Sequence, residues 1–232
     1  MENIFFSLLY LIGWVILMGI LSDDFLKIVR ALGVSELKHP LFYNCAAGIR
    51  FEIGGDEGVY LINECSEEYT ASPAYISAAF ERAKTIYTGL PNKPNLIRID
   101  GYPDENHEKN VIRTICHAGN LPLPHEQVVK PVKRDEDGKT ISQLQLYWDL
   151  ERITFTPDRL LREIIKADIG GYNAFVSNVY FADTHNGIIF HLYDDRGADL
   201  VAADRERLRC VYEKYNRWIL DDDREKIDAI FV

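Results

Sequence analysis

Near the C-terminus, the run His191-Leu-Tyr-Asp-Asp-Arg-Gly197 with Asp199 just beyond gathers an imidazole, three carboxylates and a guanidinium within nine residues. Such a set could hold a divalent cation or trade protons, and a metal-dependent hydrolase would use Asp194, Asp195 and His191 in those roles. The same residues also suit a structural turn. In that reading Asp194 or Asp195 accepts turn N–H groups and pairs with Arg196 or Arg224, and Gly197 supplies a positive φ. Spacing favours the turn. The D-x-[DN]-x-[DN]-G pattern of a calcium loop is met neither here nor at Asp221-Asp222-Asp223. No metal ligand is assigned, and no cofactor is expected.

Other catalytic signatures are missing from the chain. It holds no G-x-G-x-x-G, no Walker A string, no G-x-S-x-G elbow and no H-E-x-x-H. Cys116 and His117 are adjacent, so on a helix they point about 100° apart and form no nucleophile–base pair by themselves. His39, His107, His125 and His185 lie in polar or turn contexts and read as surface residues. The four cysteines (Cys45, Cys65, Cys116 and Cys210) form no CxxC pair, which argues against a thiolate zinc site and for reduced thiols. With 26 basic and 36 acidic side chains in 232 residues the formal charge is −10, which argues against binding nucleic acid through phosphate neutralisation. A content of 47% hydrophobic residues allows a packed core and excludes wholesale disorder.

The elements that must position these residues read as a mixed α+β chain. A short amphipathic helix fits Asp23 to Leu32, with Ser22 or Asp23 as cap and Gly33 as stop. Gly48 to Ile53 alternates as a half-buried strand, with Val59 to Asn63 as its expected hairpin partner. Ser72-Pro73 and Thr156-Pro157 open helices with buried rows Ile76, Ala79, Phe80, Ala83, Ile86 and Leu160, Leu161, Ile164, Ile165. Between them lie a strand over Asn95 to Asp100, a helix over about Asp104 to His117, a turn at Asp137-Gly138 and a strand carrying Leu144, Leu146 and Trp148. Asn186-Gly187 joins strands Phe175 to Asp183 and Ile188 to Tyr193. A last helix, capped by Asp204, carries Leu208, Val211, Tyr212, Tyr215, Trp218 and Ile219 on one stripe.

Alternation sorts these strands into two faces. Val179, Phe181, Ile188, Phe190 and Leu192 point to the core, while Arg50, Glu52, Gln143, Gln145, Tyr147, Tyr180, His191 and Tyr193 point away from it. The expected fold is an antiparallel sheet with helices mainly on one face, preceded by an apolar N-terminal helix. Its free face would offer tyrosines among amides and charges to a protein partner.

Residues 4–21 are uncharged and free of proline, close to the shortest span of a bilayer core. Basic residues follow only downstream (Lys27, Arg30 and Lys38), so an anchor here would leave the main domain in the cytoplasm. The expected organisation is an apolar segment 1–22, a candidate membrane anchor, followed by a single α+β domain over 23–232. The strings PLFYNCAAGIRFEIG, HLYDDRGADLVA and LRCVYEKYNRWILDDDREKID resemble the bacterial family DUF3885, a domain of unknown function, from roughly Phe25 to Val232. Trp218 and Arg224 belong to its W-I-L-x-x-D-R string, and Ala198 departs from the larger apolar residue expected there. The resemblance implies a fold unit and a bacterial setting, not a reaction. Two functions stand: a non-catalytic protein-interaction module, in specific form an immunity-type (toxin-neutralising) protein, or the metal-dependent hydrolase named above.

Overall fold

The computed structural model describes residues 19–55, 58–63, 68–103, 107–134, 140–169 and 177–232. The apolar segment 1–18 and the Asp137-Gly138 turn lie outside them, and no described helix is long and apolar enough to cross a membrane.

In chain order the elements are α1 (Ile20–Ala31), β1 (Ala47–Glu52), β2 (Tyr60–Asn63), β3 (Glu68–Ala71), α2 (Pro73–Thr88), β4 (Leu96–Gly101), α3 (Glu108–Gly119), β5 (Glu126–Arg134), β6 (Thr140–Asp149), α4 (Asp158–Lys166), β7 (Asn178–Asp183), β8 (Ile188–Leu192), β9 (Gly197–Ala202), α5 (Arg209–Lys214) and α6 (Arg224–Phe231). Seven strands form one antiparallel sheet in the order β1-β9-β8-β7-β4-β6-β5. The alternation read from the sequence holds on its core side. Ile49, Phe51, Ile97, Ile99, Leu144, Leu146, Trp148, Val179, Phe181, Phe190 and Leu200 pack against α2, α3, α4, α5 and α6.

Local chemistry sets most of the boundaries. The Ser72 side chain accepts the Tyr75 N–H at 3.3 Å, with Pro73 in the first turn of α2. Gly187 (φ +62) makes the β7–β8 turn, and the Asp183 carboxylate gathers the N–H groups of His185 and Asn186 at 3.1 Å each. Several expectations fail for tertiary reasons. β1 pairs with β9 rather than with β2, which forms a separate two-stranded ribbon with β3. Thr156 does not cap α4, whose first flanking residue is Pro157 and which has no side-chain cap. The last helix is broken at Ile219, which turns extended and bridges to Phe51 while Leu220 N donates to the Arg50 carbonyl at 2.9 Å.

The largest correction concerns the face expected to be free. Helix α1 lies across it, burying Phe25, Ile28, Val29 and Leu32 against Leu96, Tyr147, Tyr180, Ala182, Ile189 and Val201. Tyr147, Gln145, Tyr180 and His191 are all buried, at 2% exposure or less. An open tyrosine-bearing sheet face is therefore excluded.

The cap of α1 also differs from expectation. Gly19 (φ +110) starts the helix, and neither Ser22 nor Asp23 caps it. Instead the Glu126 carboxylate of β5 accepts from Leu21 N at 2.9 Å and Ser22 N at 3.3 Å. A carboxylate there both satisfies orphan donors and complements the helix dipole. Glu126→Ala is expected to cost about 1 kcal/mol and to raise amide hydrogen exchange in α1 ahead of the strands it covers.

Candidate functional site

The strand register places seven residues in one row across the whole covered face: Arg50, Asp199, His191, Tyr180, Arg98, Tyr147 and Glu126. Five of the sequence candidates (Arg50, Asp199, His191, Tyr180 and Tyr147) fall in this row. Arg98 and Glu126 were not singled out, although the Ile97–Ile99 alternation already put Arg98 on the polar side.

One half of the row is closed by internal pairing. Arg98 grips Asp100 through two bonds of 2.7 Å and lies over the rings of Phe25 (4.9 Å) and Tyr180 (5.3 Å). Burial opposes its charge, yet the Asp100 carboxylate prevails and holds the guanidinium above its ordinary pKa. From Asp100 the chain of bonds runs on: Gln143 donates to Asp100 (3.0 Å), Gln145 to Gln143 (3.0 Å) and the Tyr147 hydroxyl to Gln145 (3.0 Å). Burial pushes the Tyr147 and Tyr180 phenols well above the ordinary value. Gln143, Gln145 and Tyr147 are thus members of one satisfied network rather than a surface.

The other half packs under residues 39–43. Arg50 sits between the rings of Tyr43 (5.4 Å) and Tyr193 (5.5 Å), its Nε donating to the Tyr193 hydroxyl at 3.2 Å. Asp199 (3.7 Å) and Asp223 (3.6 Å) supply its counter-charge, and Tyr43 donates to Asp223 at 2.8 Å. The exposed His39 ring rests on Tyr193 (4.5 Å) and His191 (5.5 Å). Among the described residues neither nitrogen of His191 has a hydrogen-bond partner, nor has Asp199 Oδ1. Burial, with His39 adding to it, drives His191 down to about 3, and burial pushes Asp199 up to about 6. His191 is a neutral ring at neutral pH.

The turn after β8 is held by its own hydrogen bonds and by α2. Asp194 accepts from Arg196 N (2.8 Å), Gly197 N (3.2 Å) and the Arg196 guanidinium. Asp195 accepts the Tyr75 hydroxyl at 2.7 Å and so ties the turn to α2. Arg224 pairs with neither, bonding Asp221, Asn216 and the Ile219 carbonyl instead. Gly197 is required for space rather than a positive φ, because a Cβ there would lie 1.9 Å from the Tyr193 hydroxyl. Trp218 stacks on Tyr215 (5.5 Å, 6°), and Glu52 stays exposed at the end of β1.

This geometry dismantles the hydrolase set. Asp195 reaches toward α2 on one side of the sheet while His191 lies beneath the other, and Asp194 is consumed by Arg196. Among the described residues no group of three His, Cys, Asp or Glu side chains is placed to hold a metal. A cleft of about 470 Å³ between α1 and the Thr184–Gly187 turn holds Lys27, Asp204 and Arg207, but none of the sequence candidates. Its charges are engaged locally: Lys27 with Asp24 (2.7 Å), Asp204 with Glu206 N (3.0 Å) and Arg207 with the Asn186 carbonyl.

One surface does stand out. The β2–β3 ribbon exposes Tyr60, Leu61, Ile62 (60%) and Tyr69 (68%), with the two tyrosine rings edge-on at 6.5 Å. An isolated two-stranded ribbon is marginal in water. This one is tethered where Ser72 N donates to the Val59 carbonyl (2.8 Å) and Ala71 is buried. The sequence reading missed it by assigning β2 to β1.

Comparison with known proteins follows the same outline. The model of "Domain of unknown function (DUF3885)" matches residues 26–223. "Uncharacterized protein YnaE" of Bacillus subtilis (strain 168) is 43% identical over 54 residues, which is 23% of this chain and 25% of that protein. The match thus spans about a quarter of that relative's length. No solved structure matches.

Proposed function

Since the chain belongs to the DUF3885 family, whose definition carries no activity, its role has to be read from its own surface, and we propose that it is a non-catalytic protein-interaction module. One contrast carries this reading. His191, Asp194, Asp195 and Asp199 are buried, while Tyr60, Ile62 and Tyr69 stand exposed on one face of the β2–β3 ribbon. The metal-dependent hydrolase is set aside, because its three residues point to different places.

In its more specific form the module is a bacterial immunity-type protein. A charge of −10 supports that form by steering the chain onto a basic toxin.

Affinity purification of the full chain from its native cell, from both membrane and soluble fractions, tests the reading. A protein recovered in fixed proportion is expected, and for the immunity form one encoded beside this chain and toxic without it. Recovery of no protein, together with a metal-stimulated hydrolysis lost in Asp195→Asn, would contradict it.

A further inference from the structure

We infer that β8 and β9 hold one buried water molecule between them, bridging a ring nitrogen of His191 to Asp199 Oδ1; this site is independent of the interaction reading above. His191 and Asp199 are direct partners across the antiparallel pair, so their side chains share a face with Cβ atoms about 4.5–5.5 Å apart. Both residues are completely buried. Among the described residues, both imidazole nitrogens and Asp199 Oδ1 lack a hydrogen-bond partner, so the two side chains do not bond each other. Burying such groups unpaired costs more than immobilising one water that joins them.

The surroundings select the occupant. Asp199 Oδ2 is already used, accepting the Phe42 N–H at 3.2 Å. Arg50 Nε lies 3.7 Å from Oδ1 but donates to the Tyr193 hydroxyl, so it supplies charge to Oδ1 and no hydrogen bond. The rings of Tyr180 (4.6 Å), His39 (5.5 Å) and Tyr193 (5.8 Å) pack around the imidazole, and Leu41 and Phe42 are buried beside it in the segment that covers this end of the sheet. A water-sized ligand with two polar partners suits that enclosure. Among the described residues no three His, Cys, Asp or Glu side chains are placed to hold a metal ion. The Tyr87 hydroxyl gives the contrast. It too is unpaired, but it lies by the rings of Phe181 and Phe190 on the other face and offers a water a single partner, so no water is inferred there. An ionised Asp199 only accepts, so the water donates to it and accepts from the ring, and the nitrogen facing the water carries the proton.

The test is a crystal structure of the full chain at a resolution that orders internal waters, paired with oxygen-17 relaxation dispersion in solution. The expected result is one ordered water within about 3.2 Å of both Asp199 Oδ1 and a His191 nitrogen. In solution, the dispersion amplitude should fall by one long-lived water in His191→Phe, which keeps an aromatic ring and removes both nitrogens. A direct His191–Asp199 hydrogen bond, a metal ion or larger molecule between them, or no ordered water at that position would overturn the inference. So would an unchanged dispersion amplitude in a folded His191→Phe. If that variant does not fold, the crystal structure of the parent decides alone.

Discussion

Arg98→Met is expected to cost the fold about 3–5 kcal/mol, the range for removing one member of a buried ion pair. Arg98 and Asp100 are both buried and joined by two bonds of 2.7 Å. Among the described residues only the Gln143 amide would then donate to the carboxylate, at 3.0 Å, with Lys130 the other cation acting on it. The second variant discriminates pairing from packing. In Arg98→Met/Asp100→Asn the uncompensated charge is gone and the methionine still fills space over Phe25. Most of the loss should be recovered, because neutral replacements of a buried pair are often close to neutral in stability. Chemical denaturation of the parent and both variants measures this directly. A double variant as unstable as the single one would show that the guanidinium acts through packing rather than charge.

The pH dependence of stability is expected to separate His191 from Asp199, which pull in opposite directions. His191 titrates near 6.5 when unfolded and is depressed to about 3 by burial. Its contribution is therefore present above 6.5 and lost as pH falls toward 3. Asp199 is raised from 3.8 to about 6, so its contribution is present below 3.8 and lost as pH rises through 6. Between pH 4 and 6 each slope approaches about 1.4 kcal/mol per pH unit, with opposite sign. In the parent the two nearly cancel. Asp199→Asn should expose the His191 slope, losing roughly 2–3 kcal/mol relative to its own pH 6 value on acidification to pH 4. His191→Leu should instead gain stability relative to the parent over the same interval. Denaturation at pH 4, 5 and 6 reads both, and parallel profiles for all three proteins would contradict the burial assigned to these groups.

What the sequence made legible follows from the range of each interaction. Periodicity gave the core faces of β4, β6, β7 and β8, since a period of two is a local property. The caps at Ser72 and the Asn186-Gly187 turn were equally local. The partner of β1 was not, because β9 lies about 150 residues away and nothing near Gly54-Gly55 distinguishes a hairpin from a departure. The polar face misled for a further reason. Tyrosine, glutamine, arginine and aspartate alternating with aliphatics describe a wet face or a buried network equally well, and the choice is made by α1, whose stripe of Phe25, Ile28 and Val29 could have faced any neighbour. The same applies to the Asp194–Gly197 turn. Its charged composition was visible, but its assignment as structure waited on Tyr75 from α2. The family match over residues 26–223 takes in this turn and leaves its chemistry open.

Tyrosine iodination of the folded full chain at neutral pH, mapped by mass spectrometry, tests most directly whether the sheet is closed and the ribbon open. Tyr60 and Tyr69 should be modified early, while Tyr147 and Tyr180 should react only after denaturant is added. Modification of Tyr147 or Tyr180 at the rate of Tyr69 in the folded protein would mean that α1 does not cover the sheet, and the account would fail.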